Sequence, residues 1–566
     1  AGGLAPASRT AMLDVAFGAV RAAGRAGALG RAEEERVLLS LVAQPPSEEM
    51  LLFAKHYAPD SPEVFASVAH SAALAAEARD ASAGGTSALR PVAPLGSAGA
   101  PADAIVIGGG LAGMVATMTL LDRGARVVML DKQPYLGGNS GKASSGINAA
   151  LETSVESLVA DTTRSAGALA RGELIDRLAK DSAPAVDWLR NRITVDLSMR
   201  SQLGGHTQKR TLRPANAFVG AEITFATGQL LNKMAAEHPE QFRLMLKTKW
   251  TGLSRGGAGW RAAAVVNGSE AAFEGASVVI ASGGFGHDAK EAETLLLKHR
   301  PDLEGFPTTL GPQTTGDGVK IARDIGARLV DMDRVQLHPT GFVDPKKPQE
   351  HTKTLAAELL RGVGGLILDR HGRRFTDELG TRQAVVNAEL AATSDGANFP
   401  APMPARTFAL VLNGKAAEVA DRHVTLYTKK GLLSKVSGLS GLAQHLGVEP
   451  GRLRETLGSY NAAAKAGRDG FNRTVFPAHV PVEEAEDFYV GKITPVIHYT
   501  MGGIAIDADA RVLAEEDGQP IPGLFAIGEA SGGVHGDNRL AGNSLLECTV
   551  FGRHVGLTLP LQPSAR

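Results

Sequence analysis

One arginine near the end of the chain has neighbours that suit an anion-binding site. Residues 535–547 read HGDNRLAGNSLLE and follow the apolar stretch IPGLFAIGEA at 521–530, which predicts a strand, a loop of small residues and a helix. The small residues leave backbone groups accessible around Arg539, and its planar guanidinium can face a carboxylate with two parallel hydrogen bonds. The segment therefore predicts a carboxylate site at Arg539.

A glycine-rich turn lies far from Arg539 in the sequence, where residues 104–113 read AIVIGGGLAG. Gly108, Gly110 and Gly113 form G-x-G-x-x-G between a predicted strand and a predicted helix. The first two glycines allow the backbone to approach a pyrophosphate, the third allows close helix–strand packing, and the helix N-terminus favours the phosphate charge. Asp131 ends the next strand, where an acid can accept hydrogen bonds from ribose hydroxyls. These features predict dinucleotide binding.

Three further glycine-rich segments bear on whether the dinucleotide is NAD or FAD. GGNSGKASSGINAA at 137–150 follows the second strand, ASGGFG at 281–286 ends a later strand, and TTGDG at 314–318 predicts a polar loop. A single nicotinamide cofactor seldom needs so many glycine-rich segments, whereas an extended FAD threaded through a sheet does. The pattern favours FAD.

The composition excludes several classes of partner and cofactor. A chain of 566 residues can hold two or three domains, and its net charge of −1 argues against a nucleic-acid partner. The single cysteine, Cys548, excludes disulfides within the chain, cysteine-ligated iron–sulfur clusters and covalently attached c-type haem. No apolar run approaches the roughly 20 residues of a membrane span, so we expect a soluble protein. Residues 1–31 carry four arginines against one acid, a weak indication of an organellar targeting segment.

The elements that would position these motifs change character near residue 100. Residues 1–80 repeat apolar residues at three- and four-residue spacing and predict a helical module, and residues 81–102, rich in Ala, Gly, Ser and Pro, predict a linker. From residue 103 the pattern is α/β, with a strand–helix–strand unit around the glycine turn and later strands near 277–284 and 523–528. Residues 411–470 predict mainly helix, beginning with LVLNGKAAEVAD.

Four stretches resemble the flavoprotein subunits of fumarate reductases and succinate dehydrogenases, especially the single-chain type of yeast and kinetoplastids. They are VQLHPTG (335–341), AAELLRGVGGLILDRHGRRFTDELGTR (356–382), IHYTMGGIAID (497–507) and HGDNRLAGNSLLE (535–547). GGHTQKRTLRP (204–214) is similar to a substrate-side segment of the soluble fumarate reductases. The resemblance covers residues 103–558 and implies a split Rossmann-like FAD-binding domain (103–341 and 493–562) with an inserted α+β clamp, or capping, domain (342–492).

The resemblance implies reduction of fumarate to succinate, with a hydride from reduced FAD and a proton from an arginine. The proton donor that it implies is Arg382, and Arg361 and Glu358 would return protons to it, because an isolated arginine with a pKa above 12 is a poor acid. The substrate-binding residues that it implies are His206, His338, His498, Arg539 and Ala541.

The cofactor contacts are predicted to come from several segments of the chain. They are Gly108, Gly110, Leu111, Ala112, Gly113, Asp131, Lys132, Gly138, Asn139, Ser140, Ser145, Gly146, Gly283, Asp317, Glu529, Ser544 and Leu545. Ser140 matches the position where the membrane-complex relatives carry a histidine linked to FAD, which implies non-covalent FAD here.

Three positions depart from the family pattern. Ala357 stands where bacterial soluble members carry a substrate-binding threonine, although alanine suits the eukaryotic type. Gln383 follows Arg382 where an aspartate is usual, and Ala541 replaces a glycine whose backbone approaches substrate. None of the three removes a charged group from the predicted site.

The resemblance leaves the electron donor and the setting of the protein open. We expect an external donor, either a diffusible reduced flavin or a partner reductase, and the N-terminal module offers a means of joining a larger assembly. The eukaryotic likeness and the arginine-rich start favour a mitochondrial location. The alternatives are a related flavoenzyme, such as an L-aspartate oxidase or another enoate reductase, and a catalytically relic subunit of a larger assembly.

Overall fold

A computed structural model describes residues 101–215, 217–288, 294–400, 403–477 and 480–562. The predicted N-terminal helical module (1–80) and residues 81–100 of the predicted linker lie outside the described residues. The described residues form an α/β structure with two large sheets, which confirms the predicted fold class. No helix among them is long and apolar enough to cross a membrane.

The strands and helices are numbered in chain order over the described residues. The strands are β1 (Ala102–Ile107), β2 (Val127–Leu130), β3 (Ile147–Asn148), β4 (Met199–Ser201), β5 (Thr211–Arg213), β6 (Phe242–Met245), β7 (Thr248–Gly256), β8 (Gly259–Val266), β9 (Ser269–Ile280), β10 (Leu329–Val330), β11 (Val335–Phe342), β12 (Leu366–Leu368), β13 (Phe408–Asn413), β14 (Ser434–Ser437), β15 (Asp487–Thr500), β16 (Gly503–Ala505), β17 (Arg511–Leu513), β18 (Pro520–Ala526) and β19 (Ser531–Gly532). The helices are α1 (Leu111–Asp122), α2 (Val155–Ala166), α3 (Gly172–Lys180), α4 (Ser182–Trp188), α5 (Val219–Glu237), α6 (Leu295–His299), α7 (Asp317–Asp324), α8 (Glu358–Gly362), α9 (Arg382–Ser394), α10 (Gly414–Val419), α11 (Asp421–Lys429), α12 (Gly438–Leu446), α13 (Pro450–Ala466) and α14 (Asn543–Thr558).

The larger sheet joins strands from both ends of the described chain. Its parallel strands lie in the order β18-β9-β1-β2-β6, so that Ile105 pairs with Val128 on one side and Val278 on the other. β1 and β2 are buried and, apart from Asp103, apolar, as expected of parallel strands covered on both faces. α1 packs against α14 from the far end of the chain. The carboxyl ends of β1, β9 and β18 therefore meet at one edge, where ligands of open α/β sheets bind.

The second large sheet is antiparallel, in the order β11-β15-β13-β12, with β14 also paired to β15. Two hydrophobic clusters pack around it, separate from the cluster of the parallel sheet. The stretch LVLN (410–413), which we predicted to begin a helix, belongs to the buried strand β13. A short apolar run followed by alanines resembles the start of a helix, but burial on both faces in a sheet decides its conformation.

β15 is the longest strand and connects the two halves of the structure. Its first residues pair with β13 and β14, and its last residues, from Ile493 to Thr500, pair with β11. The end of β15 carries His498 and Tyr499. The predicted substrate residue His498 therefore lies on the strand that joins the antiparallel sheet together.

Candidate active site

A cavity of about 520 Å³ lies between the glycine turn that follows β1 and the antiparallel sheet. Residues of the glycine turn line one part of it, and Arg382, His498 and Arg539 line another. These three side chains come from α9, from β15 and from the loop before α14. The convergence of these distant segments on one cavity is what the sequence pattern predicted.

The glycine turn has the shape that close approach of a phosphate requires. Gly108 adopts a φ of +112°, and a Cβ added at Gly113 would lie 2.0 Å from the Gly108 carbonyl oxygen, so helix and strand touch at these two residues. Apart from Gly110 and its neighbours along the chain, no described residue comes within 4 Å of a Cβ added at Gly110. Gly110 thus faces open cavity at the N-terminus of α1, where a pyrophosphate would lie.

Asp131 and Lys132 continue the lining at the end of β2. The Asp131 carboxylate accepts hydrogen bonds from the Gly109 amide (2.5 Å) and the Gln133 amide (2.6 Å), and burial raises its pKa. Lys132 Nζ lies 2.8 Å from Asp317 Oδ2. An acid anchored beside the turn is suitably placed for ribose hydroxyls.

The segment after β2 is joined to the loop before α7 by one side chain. Asn139 Nδ2 donates to Thr314 Oγ1 (2.7 Å), and Asn139 Oδ1 accepts from the Gly311 amide (2.9 Å). Ser140 lies nearby, with its Oγ 3.4 Å from the Leu111 amide. Two glycine-rich segments that we predicted to share one cofactor therefore line one wall of the cavity.

Most of the predicted cofactor residues line this single cavity. They are Gly108, Gly110, Leu111, Ala112, Asp131, Lys132, Gly138, Asn139, Ser140, Ser145, Gly146, Gly283, Asp317, Glu529, Ser544 and Leu545. Gly113 lies beneath the turn instead, against Gly108. Burial raises the pKa of Glu529, at the end of β18, to about 7. A cavity that these separate segments line, with open space at Gly110 and Gly283, fits an extended dinucleotide.

Arg539 is a buried cation that makes no ion pair with any residue the structure describes. Its guanidinium carbon lies 4.3 Å from the centre of the Tyr499 ring, and its Nε has no hydrogen-bond partner there. The Tyr499 hydroxyl donates to Glu547, which also accepts from His535 Nε2 at 3.0 Å. A buried guanidinium stacked on a ring and lacking its own carboxylate is suited to an anionic ligand.

Arg382 begins α9 and points toward the same space. Thr381 caps the helix by accepting a hydrogen bond from the Ala384 amide, which fixes the first turn. Arg382 Nε donates to Glu358 Oε2 (2.7 Å) and its Nη1 donates to Gln336 Oε1 (2.6 Å). Gln336 Nε2 in turn donates to the Arg539 carbonyl (2.8 Å), so one glutamine on β11 connects the two arginines.

Glu358 is the counter-ion shared by the buried charges behind Arg382. Its Oε1 lies 3.1 Å from Arg361 Nη2 and accepts from the Gly204 amide at 3.1 Å. Although burial opposes ionisation, the guanidiniums of Arg382 and Arg361 hold the pKa of Glu358 well below its usual value. Burial, together with the neighbouring cations, lowers the pKa of Arg382 to about 10. Arg382 is therefore a stronger acid than an exposed arginine.

Two of the three predicted histidines pack edge to face, with His498 at the cavity and His338 behind it. Their ring centres lie 5.0 Å apart, and His498 Nδ1 shares a 2.7 Å hydrogen bond with Thr309 Oγ1. His338 Nε2 lies 3.4 Å from Glu358 Oε2. Burial and the nearby guanidinium of Arg382 lower the pKa of His338 to about 3 and that of His498 well below its usual value. Both rings are therefore neutral at physiological pH.

His206 and Ala541 lie behind the cavity wall. His206 Nε2 is 2.8 Å from the Ala541 carbonyl, which also accepts from Asn148 Nδ2 at 2.7 Å. Burial lowers the pKa of His206 to about 4. In the described structure these two residues, like Glu358, Arg361 and His338, lie outside the cavity lining. They pack behind the part of the cavity wall that carries Arg539.

Several residues of the site were not singled out from the sequence. Gln336 and Tyr499 lie inside stretches whose histidines we chose, and Thr309 lies in none of them. Gln383, which we noted beside Arg382, donates outward to Asn387 at 2.7 Å. Its replacement of an aspartate therefore leaves the contacts of Arg382 with Glu358 and Gln336 in place.

Comparisons with known proteins agree with this geometry. A family model described as "FAD binding domain" matches residues 103–545. Over 469 residues, the chain is 41% identical to the fumarate reductase of Schizosaccharomyces pombe (80% of this chain, 88% of that protein). It is 38% identical to fumarate reductase 1 of Saccharomyces cerevisiae (79% and 96%). The open conformation of a flavocytochrome c3 fumarate reductase superposes with a TM-score of 0.61 and 29% identity (85% of this chain, 80% of that chain).

Proposed function

Because the chain belongs to the FAD-binding flavoprotein family of the fumarate reductases, we propose that it reduces fumarate to succinate. The observation that carries the proposal is the pair of buried guanidiniums, Arg382 and Arg539, on the cavity that the glycine turn lines. Two cations fit a small dianion such as fumarate, and FAD is the cofactor. Bound reduced FAD supplies the hydride for one alkene carbon.

We assign the binding of the substrate carboxylates to Arg539 and to the neutral ring of His498. Arg539 brings an uncompensated positive charge, held over Tyr499, and its burial strengthens its attraction for an anion. The neutral His498 ring offers a hydrogen bond without adding a further charge that would have to be desolvated. Gln336 accepts from Arg382 Nη1 and donates to the main-chain carbonyl of Arg539, so it ties the Arg382 side chain to the segment that carries Arg539. These groups favour the charge that develops on one carboxylate as the hydride arrives.

Arg382 is our proposed proton donor to the second alkene carbon. Its lowered pKa and its direct hydrogen bond to Glu358 support this role. Loss of a proton from Arg382 leaves a neutral guanidine, to which Glu358 returns a proton taken from Arg361. One hydride and one proton convert fumarate to succinate, and one proton from solvent restores the relay.

The remaining assignments follow from the same site. We propose that residues 342–492 form a cap that excludes water from the cavity, and that residues 103–341 and 493–562 bind FAD. We propose non-covalent FAD, because Ser140 lacks the ring nitrogen through which a histidine would bond to flavin. An external reduced flavin or a reductase would supply the electrons, and a mitochondrial location stays a prediction.

Anaerobic re-oxidation of dithionite-reduced protein tests the proposal. Fumarate is expected to restore the absorbance of oxidised flavin with formation of succinate, and Arg382→Ala should retain FAD but lose most of this reaction. Oxidation of aspartate with release of peroxide would instead indicate an L-aspartate oxidase, and preference for another enoate would change the substrate. Purified protein without flavin absorbance would contradict the proposal and favour the relic subunit.

A further inference from the structure

The helix that begins at Arg382 carries a second ionisable residue on its inward face. α9 buries Arg382, two valines and Glu389 at three- and four-residue spacing, and packs against β11. Glu389 lies about two turns beyond Arg382, which is about 10 Å along the helix axis. Ala384 and Asn387 on the outward face are exposed, and beyond Glu389 the exposed positions Ala391 and Ser394 lie in the last turn. The helix therefore runs from the cavity to the surface, with Glu389 between the two.

Glu389 has no partner among the described residues that would stabilise it as an anion. The residue is 0% exposed, and neither carboxyl oxygen has a hydrogen-bond partner in the described structure. An ionised carboxylate in such a position is very costly. Burial raises the pKa of Glu389 well above its usual value, and the opposing field of Arg361 is too weak to reverse this. Glu389 is thus a neutral carboxylic acid at neutral pH and carries a proton.

Arg361 is the charged group on α8 whose field reaches Glu389. Its guanidinium is 0% exposed and donates from Nη1 to the Glu378 carbonyl at 2.6 Å. Its Nη2 lies 3.1 Å from Glu358 Oε1, but neither Nη2 nor Nε meets hydrogen-bond geometry with any described residue. Arg361 therefore has donor capacity beyond its contact with Glu358. An ordered water between Arg361 and Glu389 would have polar partners at both ends.

We propose that Glu389 is the residue that reloads the relay with protons. This inference rests on the proposed function and deepens it. After Arg361 has passed a proton through Glu358 to Arg382, the O–H bond of Glu389 breaks and, by way of the intervening water, an N–H bond forms on Arg361. The resulting carboxylate takes a proton from solvent along the last turns of α9. No electrons move in this step, and Glu389, which touches neither substrate nor cofactor, acts through Arg361.

Loss of the Glu389 proton should slow later turnovers but not the first, because the first turnover uses the proton already on Arg382. Glu389→Gln keeps the size and neutrality of the side chain but cannot release a proton. In anaerobic stopped-flow experiments, its first re-oxidation by fumarate should match wild type, whereas turnover with excess reduced methyl viologen should fall about 10-fold or more. Glu389→Asp should recover most of the loss, and exposed Asn387→Ala serves as the matched control on α9.

Infrared spectroscopy gives a readout that is independent of activity. The wild-type minus Glu389→Gln difference spectrum at neutral pH should show the carbonyl stretching band of a buried protonated carboxylic acid, because Glu529, whose pKa is also raised, contributes equally to both proteins. Absence of this band from the difference spectrum overturns the inference.

Each of the remaining outcomes of these experiments also supports or contradicts the role of Glu389. Equal steady-state rates for wild type and Glu389→Gln overturn the inference while leaving fumarate reduction intact. Equal slowing of the first and later turnovers, with a lower melting temperature, assigns Glu389 a structural role and also overturns it. If Glu389→Gln does not retain FAD, the first and later turnovers are compared in Glu389→Leu instead, because a leucine suits the apolar surroundings. A wild type that fumarate does not re-oxidise at all refutes the proposed function itself.

Discussion

Replacing Glu358 by glutamine removes the shared counter-ion of two buried guanidiniums. The carboxylate lies 2.7 Å from Arg382 Nε and 3.1 Å from Arg361 Nη2, and it is 1% exposed. Unit charges 4 Å apart attract by about 4 kcal/mol at an effective dielectric constant near 20. Removing one partner of a buried ion pair costs about 3–5 kcal/mol in measured cases. We therefore expect Glu358→Gln to lower the free energy of unfolding by several kcal/mol.

The same substitution should stop proton return to Arg382. An amide cannot pass a proton between the two guanidiniums, so steady-state fumarate reduction per bound FAD should fall about 100-fold or more. The assay is anaerobic oxidation of reduced methyl viologen by fumarate, normalised to flavin content, with thermal unfolding measured on the same samples. Because the pKa of Glu358 is depressed in the folded protein, its contribution to stability is complete at pH 7. The stability difference from wild type should begin to shrink only below about pH 4.3.

Glu378→Gln is the matched control for this experiment. Glu378 is also fully buried and also accepts from two arginines, Arg374 and Arg473, each at 2.7 Å. Its side chain lies outside the cavity lining in the described structure, and its backbone carbonyl, which Arg361 contacts, is unchanged by the substitution. It should destabilise the fold comparably yet retain most turnover. Equal loss of turnover in both variants, or wild-type turnover in Glu358→Gln, would refute the reasoning.

Three further predictions address the cofactor and the substrate. Gly110→Ala should fold but bind FAD more weakly, because its methyl group enters the open cavity. Gly113→Ala should not fold normally, because its Cβ would lie 2.0 Å from the Gly108 carbonyl oxygen. Circular dichroism of the apoproteins and titration with FAD distinguish the two variants. Arg539→Met should raise the KM for fumarate about 30-fold or more, since losing one partner of a buried charge pair costs about 2–5 kcal/mol, and an unchanged KM would remove Arg539 from substrate binding. Acid precipitation should release the flavin into the supernatant, and yellow colour in the pellet would contradict the non-covalent assignment based on Ser140.

Local patterns were sufficient to predict the elements around the cofactor. The glycine turn, β1, α1 and β2 follow from spacing and apolar runs, and the structure places them as predicted. The stretches around Arg382, His498 and Arg539 also converge on the cavity as predicted. Each of these predictions depends on a local pattern, either the spacing of neighbouring residues or a motif within one stretch of the sequence.

Contacts between distant segments could not be predicted in the same way. Nothing in the sequence near Gln336 indicates that it bridges two arginines, and nothing near Tyr499 indicates that its ring lies under Arg539. The position of His338 behind His498, rather than beside it at the cavity, depends on how β11 pairs with β15. The mistaken helix at β13 has the same origin, because sheet pairing with β12 and β15 outweighs local preference.

The arrangement of the parallel sheet has a consequence for biosynthesis. β18 pairs directly with β9, and α14 packs on α1, so residues 520–558 complete a layer whose other strands are translated much earlier. A nascent chain emerging from the ribosome exposes the open flank of β9 until this last segment arrives. The cofactor cavity therefore cannot be complete before residues 520–558 are synthesised, because Glu529, Ser544 and Leu545 line it, and we expect a fragment that stops shortly before residue 520 to aggregate rather than to bind flavin.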